Sequence, residues 1–439
     1  MVKRVAILGS TGSIGKNALR VIDALNALPV PPAAVRSSPE NRGQKTRLRR
    51  TSLKLRRADP ASLKLRRADD GSAGYEIVAL SAHNNVELLA EQVRRWKPKY
   101  AAITNPQNYG RLKELIGNSG TKILVGPESL IEISQLDDVD IVLIAVVGAA
   151  GLQPVLAAAK KGKRLAIANK EPLVIAGRLV TETARAGGAD LLPIDSEHSA
   201  IFQAMRAGQP DEVSKIILTT SGGPFRKAKI EDLQSVTVEQ ALAHPVWDMG
   251  PKITIDSATM MNKALEVIEA RWLFDMPVEK IEVLVHPESI IHSLVEFIDG
   301  SCLAQLSLPD MSVPIQYALT YPRRLSGIAS RLRLEEIGRL NFEKPNLETF
   351  RALRLGFDVA GTGGTAPAVF NAANEAAVEL FLAGRIKFVN ITELIELCLN
   401  KHNVVANAGL EQLLEADKWA RRLVVESACP LAADLRRSR

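Results

Sequence analysis

The N-terminal segment constrains the fold most, because a short apolar strand runs directly into a glycine-rich turn and then into a helix. Residues 1–9 contain the apolar run VAILG, residues 9–15 read GSTGSIG, and apolar residues then recur with helical spacing. In such a unit the first N–H groups of the helix and its dipole face a pyrophosphate, and glycine lets the phosphate approach closely. The segment predicts a dinucleotide-binding turn, although a plain strand-to-helix turn would also need glycine.

The following segments continue this alternation of strand and helix. Strands are predicted at residues 75–82, 100–104, 123–125, 141–147 and 164–168, with helical stretches between them, which indicates a doubly wound α/β sheet. An NAD site usually has a carboxylate at the end of its second strand, but this chain reads SAHNN from Ser81 to Asn85. Since no carboxylate would repel a 2′-phosphate, the sequence favours NADP.

The second half of the chain changes character. Residues 281–285, 291–297 and 301–308 predict three strands, with a hairpin turn at Asp299 and Gly300. Patterns are helical from Leu347 onward, and residues 431–439 are predicted to be a frayed tail. We therefore predict an α/β fold with a Rossmann-like N-terminal domain, an α+β catalytic domain and a helical C-terminal domain.

The composition indicates a cytoplasmic protein that does not enter a membrane. The longest apolar run, residues 141–152, is interrupted by glycine and is too short to span a bilayer. The three cysteines have no metal-binding spacing and cannot all pair, which fits a reducing compartment.

Residues 29–74 form a basic insertion that carries the excess charge of the chain. It contains twelve Lys and Arg and four acidic residues, whereas the net charge of the chain is +7, so the remainder is close to neutral. The octapeptide SLKLRRAD occurs at residues 52–59 and again at 62–69, which predicts a disordered low-complexity insertion. The alternative is a nucleic-acid-binding arm, whose salt-dependent affinity would disappear on deletion of residues 36–70. The insertion has no aromatic residue to stack on bases, so nucleic acid is not the expected partner.

The stretch LLPIDSEHSA, residues 191–200, is a candidate metal site. If the chain is extended there, Asp195 and Glu197 share one face and Ser196 lies opposite. Carboxylate oxygens suit Mg²⁺ or Mn²⁺, which need few protein ligands and leave positions for a chelating substrate. Because most such pairs are solvated loop carboxylates, the neighbouring motifs decide the interpretation.

Three neighbouring motifs favour a site. Residues 169–171, NKE, follow a predicted strand at the edge where parallel sheets bind ligands, although they also suit a polar loop. Residues 221–223, SGG, could form a phosphate nest or a simple turn. A helix starting near residues 257–259 would place a polar triplet on one face, either as a surface ion pair or facing a cleft: Asn262, Lys263 and Glu266.

Taken in order, these motifs closely resemble the 1-deoxy-D-xylulose 5-phosphate reductoisomerase family. The motifs are GSTGSIG, VVGAAGL, ANKE, PIDSEHSAIFQ, SGGPF, HPVWDMG and DSATMMNKALEVIEARWLF. The resemblance implies NADPH- and divalent-metal-dependent rearrangement and reduction of 1-deoxy-D-xylulose 5-phosphate to 2-C-methyl-D-erythritol 4-phosphate, in isoprenoid precursor biosynthesis. The expected domains are a cofactor domain (1–190), a catalytic and dimerisation domain (191–322), a linker (323–345) and a helical domain (346–430).

The resemblance also implies the roles of individual residues. The implied metal ligands, for Mg²⁺, Mn²⁺ or Co²⁺, are Asp195, Glu197 and Glu266. The implied catalytic residues are Lys170, Glu197 and His244, and His244 also belongs with Trp247 to a lid. The implied substrate contacts are Lys170, Ser196, Glu197, Ser221, His244, Ser257, Asn262, Lys263 and Glu266. The implied NADPH contacts are Thr11, Gly12, Ser13, Ile14, Asn85, Asn169, Glu171 and Gly250.

The chemistry explains these residue types. Adjacent carbonyl and hydroxyl oxygens of a small phosphorylated sugar can chelate a cation that acts as a Lewis acid. Lys170 can stabilise oxyanions, and Glu197 can orient a hydroxyl or relay its proton, while the general base stays open. A different metal-assisted NADP dehydrogenase would explain GSTGSIG but not the phosphate-binding residues. The resemblance further implies a homodimer in which the hairpin contributes to a shared sheet.

Overall fold

The computed structural model describes residues 2–28, 74–245, 247 and 249–437. The basic insertion, apart from Gly74, lies outside the described residues, so its order stays a prediction. The α/β fold class is confirmed, because a parallel sheet, a second mixed sheet and a helical C-terminal region follow one another along the chain.

Seven parallel strands form the first sheet, in the order β4-β3-β2-β1-β5-β6-β7. Since the strand order reverses between β1 and β5, the carboxyl ends of these two strands border a crevice, the usual ligand position in such sheets. The strands are β1 (Lys3–Leu8), β2 (Tyr75–Ala82), β3 (Tyr100–Ile103), β4 (Lys122–Val125), β5 (Ile141–Ile144), β6 (Arg164–Ile167) and β7 (Asp190–Pro193).

Helices cover both faces of this sheet, and the near-continuous apolar strands reflect burial on both sides. Val5 and Ile7 of β1 face one apolar cluster, whereas Ala6 and Leu8 face the other. The connecting helices are α1 (Ser13–Ala27), α2 (Val86–Trp96), α3 (Tyr109–Ile116), α4 (Glu128–Gln135), α5 (Leu152–Lys160) and α6 (Glu171–Gly187).

A four-stranded sheet follows, in the order β11-β10-β8-β9, with α7 (Ser196–Ala204) packed on β10 and β11. Its strands are β8 (Val213–Thr220), β9 (Ile281–Val285), β10 (Ile291–Phe297) and β11 (Cys302–Leu306). The predicted hairpin is confirmed, because Phe297 N–H donates to the Ser301 carbonyl at 2.8 Å across a turn with Gly300 at φ +84°. The helices around it are α8 (Val238–Leu242), α9 (Pro251–Ala258), α10 (Met261–Leu273) and α11 (Ser312–Thr320).

The C-terminal region is helical, as predicted, and shares a continuous apolar core with one face of the parallel sheet. Phe370 on α14 is fully buried within that core. The helices are α12 (Leu334–Ile337), α13 (Arg351–Thr362), α14 (Ala366–Leu382), α15 (Phe388–Lys401) and α16 (Leu410–Arg437). Among the described residues, no helix is long and apolar enough to cross a membrane.

Two boundaries predicted for the parallel sheet and the C-terminal region were wrong. The strand predicted at residues 141–147 ends at Ile144, because its neighbours β1 and β6 end at Leu8 and Ile167 and offer no further partners. Residues 431–437 of the predicted frayed tail instead belong to α16, which continues to Arg437 through residues with good helix propensity, and residues 438 and 439 lie outside the described part of the chain. The other predicted strands agree with the structure to within two residues at each end.

Gly15 lets α1 pack closely on the turn that precedes it. A Cβ at this position would lie 2.4 Å from the Gly9 carbonyl oxygen and 2.5 Å from the Ser10 Cα. Because these are backbone atoms, Gly15→Ala should push the helix outward and lower the free energy of unfolding by about 1–3 kcal/mol in chemical denaturation. Gly110→Ala in α3 is the control, because no atom lies within 4 Å of its added Cβ. Equal stability of the two variants would contradict this account.

Candidate active site

A cavity of about 210 Å³ lies where the carboxyl ends of β6 and β7 meet the end of β8. Helices α9 and α10 close its other side. The structure thus gathers residues that are as much as 298 positions apart in the sequence, from Ser13 to Met311. The predicted site residues that line the cavity are Ser13, Ile14, Lys170, Asp195, Ser196, Glu197, Ser221, His244, Gly250, Ser257, Asn262, Lys263 and Glu266.

Asp195 and Glu197 lie at a strand-to-helix junction, so the predicted extended geometry was wrong. Asp195 is the N-cap of α7, and its Oδ1 accepts a hydrogen bond from the Glu197 N–H at 3.2 Å. The helix therefore begins within the motif, at Ser196. The two carboxylates nevertheless converge with Glu266, since one oxygen from each of the three lies within 4.8 Å of the others. Three such oxygens can hold a hard divalent cation.

Two lysines connect these carboxylates. Lys170 Nζ pairs with Asp195 and lies 3.8 Å from Glu266 Oε1. Lys263 Nζ lies 3.2 Å from Glu197 Oε1 and also pairs with Glu266. Burial opposes the charge of both lysines, but the surrounding carboxylates outweigh it and raise the pKa of each amine. Both lysines are therefore held as cations beside the three carboxylates.

Helix α10 supplies the polar triplet, although it begins at Met261 and not at residues 257–259 as predicted. Met260 adopts a left-handed conformation with φ +62°, which separates α10 from α9. The predicted i,i+4 contact is present, because Asn262 Nδ2 donates to Glu266 Oε1 at 2.6 Å. Lys263 and Glu266 are 2% and 0% exposed, so they are not a surface ion pair.

The buried carboxylates have pKa values shifted in opposite directions. Burial raises the pKa of Glu266 to about 8, and the nearby charges of Asp195 and Glu197 add to this rise. Burial acts in the same direction on Asp195, but Lys170 and other nearby cations outweigh it and hold its pKa well below the usual range. The pKa of Glu266 is thereby brought close to neutral pH.

Ser221 and His244 form one wall of the cavity. Ser221 Oγ lies 3.2 Å from His244 Nε2, and the Trp247 N–H donates to His244 Nδ1 at 2.9 Å. Burial lowers the pKa of His244. The neutral ring therefore carries its proton on Nε2, facing Ser221. At Gly223 a Cβ would lie 2.6 Å from the Ser257 carbonyl oxygen, so glycine lets the turn after β8 pack on the end of α9.

A larger cavity of about 700 Å³ occupies the crevice between β1 and β5. Thr11 and Gly12 line this cavity, whereas Ser13 and Ile14 line the smaller one, so the glycine-rich turn borders both. Gly12 caps α1 without any side-chain hydrogen bond, which leaves the first N–H groups of the helix available to an anion. Leu414 from α16 forms part of the opposite wall.

Three of the predicted cofactor residues do not line either cavity. Asn85 caps α2, with its side chain accepting from the Leu88 N–H at 3.2 Å. Asn169 and Glu171 are buried and hydrogen-bonded to each other. The Asn169 Oδ1 has no hydrogen-bond partner among the described residues, and its amide donates to the Gly148 carbonyl at 3.3 Å.

Sequence reasoning missed a buried pair beneath the carboxylates. His198 Nδ1 lies 3.7 Å from Asp195 Oδ1 and 3.7 Å from Glu269 Oε2, while its Nε2 lies 3.0 Å from the Glu266 carbonyl oxygen. Burial lowers the pKa of His198 to about 4 and raises the pKa of Glu269. Two signals could have revealed them, because His198 directly follows the DSE motif and Glu269 lies one helical turn beyond Glu266.

Comparisons with known proteins agree with this geometry. Family profiles match residues 62–177 (1-deoxy-D-xylulose 5-phosphate reductoisomerase), 191–274 (its C-terminal domain) and 306–423 (DXP reductoisomerase C-terminal domain). The 1-deoxy-D-xylulose 5-phosphate reductoisomerase of Chloroherpeton thalassium is 45% identical over 97% of this chain and 98% of its own length. The chain belongs to the 1-deoxy-D-xylulose 5-phosphate reductoisomerase family. The resemblance inferred from the motifs is thereby confirmed.

Solved structures of reductoisomerases share the fold over nearly the whole chain. The enzyme from Zymomonas mobilis in complex with NADPH has a TM-score of 0.82 and 38% identity, and the match covers 98% of this chain and 100% of that one. A reductoisomerase in complex with NADPH, fosmidomycin and magnesium also has a TM-score of 0.82 and 38% identity, with coverage of 97% and 98%. The reductoisomerase of Clostridium perfringens strain ATCC 13124 is 48% identical over 80% of this chain and 92% of its own length.

Proposed function

We propose that this chain uses NADPH and a divalent cation to convert 1-deoxy-D-xylulose 5-phosphate into 2-C-methyl-D-erythritol 4-phosphate. The observation that carries the proposal is the convergence of Asp195, Glu197 and Glu266 within 4.8 Å, in the cavity that the start of α1 also borders. The 1-deoxy-D-xylulose 5-phosphate reductoisomerase of Chloroherpeton thalassium matches 97% of this chain, and a solved reductoisomerase structure of the same fold contains NADPH and magnesium. NADPH would supply hydride, and the cation would supply Lewis acidity to the sugar oxygens.

The three carboxylates are the proposed metal ligands, and the fit is chemical as well as geometric. Each of Asp195, Glu197 and Glu266 offers an oxygen to one point, which suits Mg²⁺ with Mn²⁺ or Co²⁺ as substitutes. Two further cations, Lys170 and Lys263, already lie beside these oxygens. The pocket therefore stabilises negative charge on oxygen from several directions.

The reacting end of the sugar is proposed to contact Lys170, Ser196 and Glu197. The Lys170 amine donates hydrogen bonds that stabilise an oxyanion, because nearby carboxylates keep it charged. Ser196 Oγ donates to Glu197 Oε2 at 2.5 Å, which restrains the orientation of that carboxylate, and we propose that it faces a substrate hydroxyl. Glu197 is thus placed to hold or relay a proton at the hydroxyl.

The substrate phosphate is proposed to lie against the wall formed by the end of β8 and by α9 and α10. Hydroxyl, amide and ammonium donors converge there, and the neutral His244 adds an Nε2–H. A phosphate bound at this wall would orient the reacting carbons of the sugar. The proposed phosphate contacts are Ser221, His244, Ser257, Asn262 and Lys263.

The cofactor is proposed to span the two cavities, with its pyrophosphate at the start of α1. The available N–H groups after Gly12 supply donors without competition from a capping side chain. Asn169 Oδ1 is a buried acceptor without a hydrogen-bond partner among the described residues, and we propose that it faces the cofactor. The proposed NADPH contacts that line these cavities are Thr11, Gly12, Ser13, Ile14 and Gly250. The family resemblance adds Asn85, Asn169 and Glu171.

The proposed reaction is tested by the loss of NADPH absorbance in the presence of 1-deoxy-D-xylulose 5-phosphate and Mg²⁺, with EDTA as the metal-free control. We expect oxidation only when substrate and cation are both present. Asp195→Asn should lower turnover on the order of 100-fold while NADPH binding persists, because it removes charge at the reacting centre. Asp190→Asn is the matched control, since this carboxylate on β7 is 49% exposed. A folded protein that binds NADPH but never oxidises it with this sugar would refute the proposal.

Metal affinity should depend on pH through Glu266. Its pKa is raised to about 8 by burial, so below this pH a cation must displace a proton. Titration of EDTA-stripped protein with Mg²⁺ or Mn²⁺ should show affinity rising up to tenfold per pH unit from pH 6 to about 8, then levelling. Glu266→Gln should weaken binding and flatten this slope. An affinity of the wild type that is constant over this range would exclude the Glu266 carboxylate as the linked group.

We propose that the chain forms a homodimer through β11. This strand ends the order of the second sheet, so one of its edges is unpaired within the described chain. Leu303 on β11 exposes 41% of its surface, and Ile298 in the turn that leads into this strand exposes 71%. An unpaired edge with exposed apolar residues is typical of strand pairing between chains. Sedimentation should give twice the 47.6 kDa chain mass, and Leu303→Lys should shift the equilibrium toward monomer. Val425→Lys on α16 is the control, and a monomeric wild type would contradict the proposal.

A cytoplasmic location is proposed from cysteine chemistry. Cys302, Cys398 and Cys429 are all free in the structure, as expected in a reducing compartment. Cell fractionation with a compartment marker tests this location, and recovery in an oxidising compartment would overturn it.

A further inference from the structure

A buried polar junction joins α9 to the start of α6 and to α14, outside both cavities. Lys252 Nζ lies 2.7 Å from Asp256 Oδ2 and 3.5 Å from Glu171 Oε1. The other oxygen of Asp256 accepts a hydrogen bond from Asn374 Nδ2 at 2.9 Å. Asp256 and Asn374 are 1% and 0% exposed. Three elements that are distant in the sequence therefore meet through one lysine, one aspartate and one asparagine.

Charge balance makes Lys252 central to this junction. Its amine interacts with three carboxylates, those of Asp256, Glu171 and Glu375. Burial disfavours the charged amine, but the carboxylates favour it more strongly, so the pKa of Lys252 is raised. Glu375 also forms an ion pair with Arg421, whose Nη2 lies 2.5 Å from Glu375 Oε2. Removing the Lys252 charge would leave Glu171 and Asp256 buried without their shared cation, which is costly in a desolvated setting.

Two carboxylates of the junction are adjacent in the sequence to residues of the proposed site. Glu171 directly follows Lys170, whose amine pairs with Asp195. Asp256 directly precedes Ser257, and Gly250 lies just before α9; both line the smaller cavity. A shift of α9 relative to α6 would therefore change the distance between Ser257, a proposed phosphate contact, and Lys170, a proposed contact of the reacting end of the sugar.

Asn374 is not explained by packing within the helical region itself. It lies inside α14, and its Oδ1 has no hydrogen-bond partner among the described residues. Its side-chain bond to Asp256 crosses to α9, 118 positions away in the sequence. A fully buried asparagine with one unsatisfied acceptor is costly, and its amide donates outside its own helix, so the contact with Asp256 is the physical reason to have an amide there.

We propose that Lys252, Asp256 and Asn374 are positioning residues that hold α9 in place between the proposed sugar site and the proposed NADPH site. Through the contact of α14 with α9, they set the affinity of the protein for both the sugar and NADPH. The inference rests on the proposed function, because the site that these residues position is the proposed reductoisomerase site. None of the three lines either described cavity, so they act through Ser257, Gly250 and Glu171.

The first test compares Asn374→Ala with Asn390→Ala. Asn390 is also buried in the helical region, but its side-chain contacts stay with Lys387 and Glu393, around the start of its own helix. Because Asn374→Ala removes a hydrogen bond to a buried charge, we expect the KM for sugar and for NADPH to rise about tenfold. The kcat should stay within threefold, and the thermal midpoint should fall no more than in the control. Unchanged KM values in a folded Asn374→Ala variant would overturn the proposal.

A charge swap gives the second test. In the double variant Asp256→Asn with Asn374→Asp, amide and carboxylate exchange places, which keeps the net charge and a hydrogen bond between the two residues but takes the carboxylate away from Lys252. Because the two side chains act through one contact, we expect the rise in KM of the double variant to be smaller than the product of the rises in the two single variants. A rise equal to that product would show that the two residues act independently and would overturn the proposal.

Binding measurements separate this inference from the proposed reaction. NADPH affinity, followed by fluorescence, should weaken about tenfold in Asn374→Ala and in Lys252→Gln, which keeps most of the side-chain volume and removes the charge. If wild-type protein fails to oxidise NADPH with the sugar, the proposed function fails while this binding test still stands. If NADPH affinity in both folded variants equals that of wild type, the positioning role is refuted.

Discussion

The structure depends on a set of opposite charges that the fold removes from water together. Asp195, Glu197 and Glu266 face the ammonium groups of Lys170 and Lys263 in one cavity. Buried ions of one sign would be prohibitively costly, and a mixed set is tolerated only when each charge has partners at short range. The chain must therefore hold strand ends and helix starts in fixed relation. The apolar packing of both sheets supplies that rigidity.

Topology explains how residues so far apart in sequence meet. Lys170 follows β6 and Asp195 follows β7, and these parallel neighbours end at the same edge of the sheet. Helix α10, which lies between β8 and β9 in the sequence, then brings Glu266 close to the same carboxylates. Because helix starts expose N–H groups and strand ends expose side chains, this edge offers donors for phosphates and carboxylates for a cation. One architecture thus positions both kinds of ligand.

Local sequence patterns predicted what local physics decides. Apolar periodicity located nearly all strands, and the spacing of Asn262 and Glu266 predicted a contact that is present at 2.6 Å. The geometry of Asp195 was misjudged, because aspartate stabilises a helix start as readily as it ends a strand. The contact between Asp256 and Asn374 could not be predicted, since a polar bond between distant helices has no period. It depends on tertiary packing that only the folded chain defines.

The distribution of unsatisfied polar atoms ties stability to the site. Among the described residues, the buried side-chain atoms without a partner include Asn169 Oδ1, Asn262 Oδ1 and the facing atoms of His198 and Glu269. A buried acceptor without a donor destabilises a fold by about 1–3 kcal/mol, so such groups are scarce where packing alone matters. Three of these atoms, on Asn262, His198 and Glu269, lie beside Asp195 or Glu266, where they are the cost of presenting ligand-binding groups in a desolvated cleft. The same desolvation strengthens each electrostatic contact that these groups make.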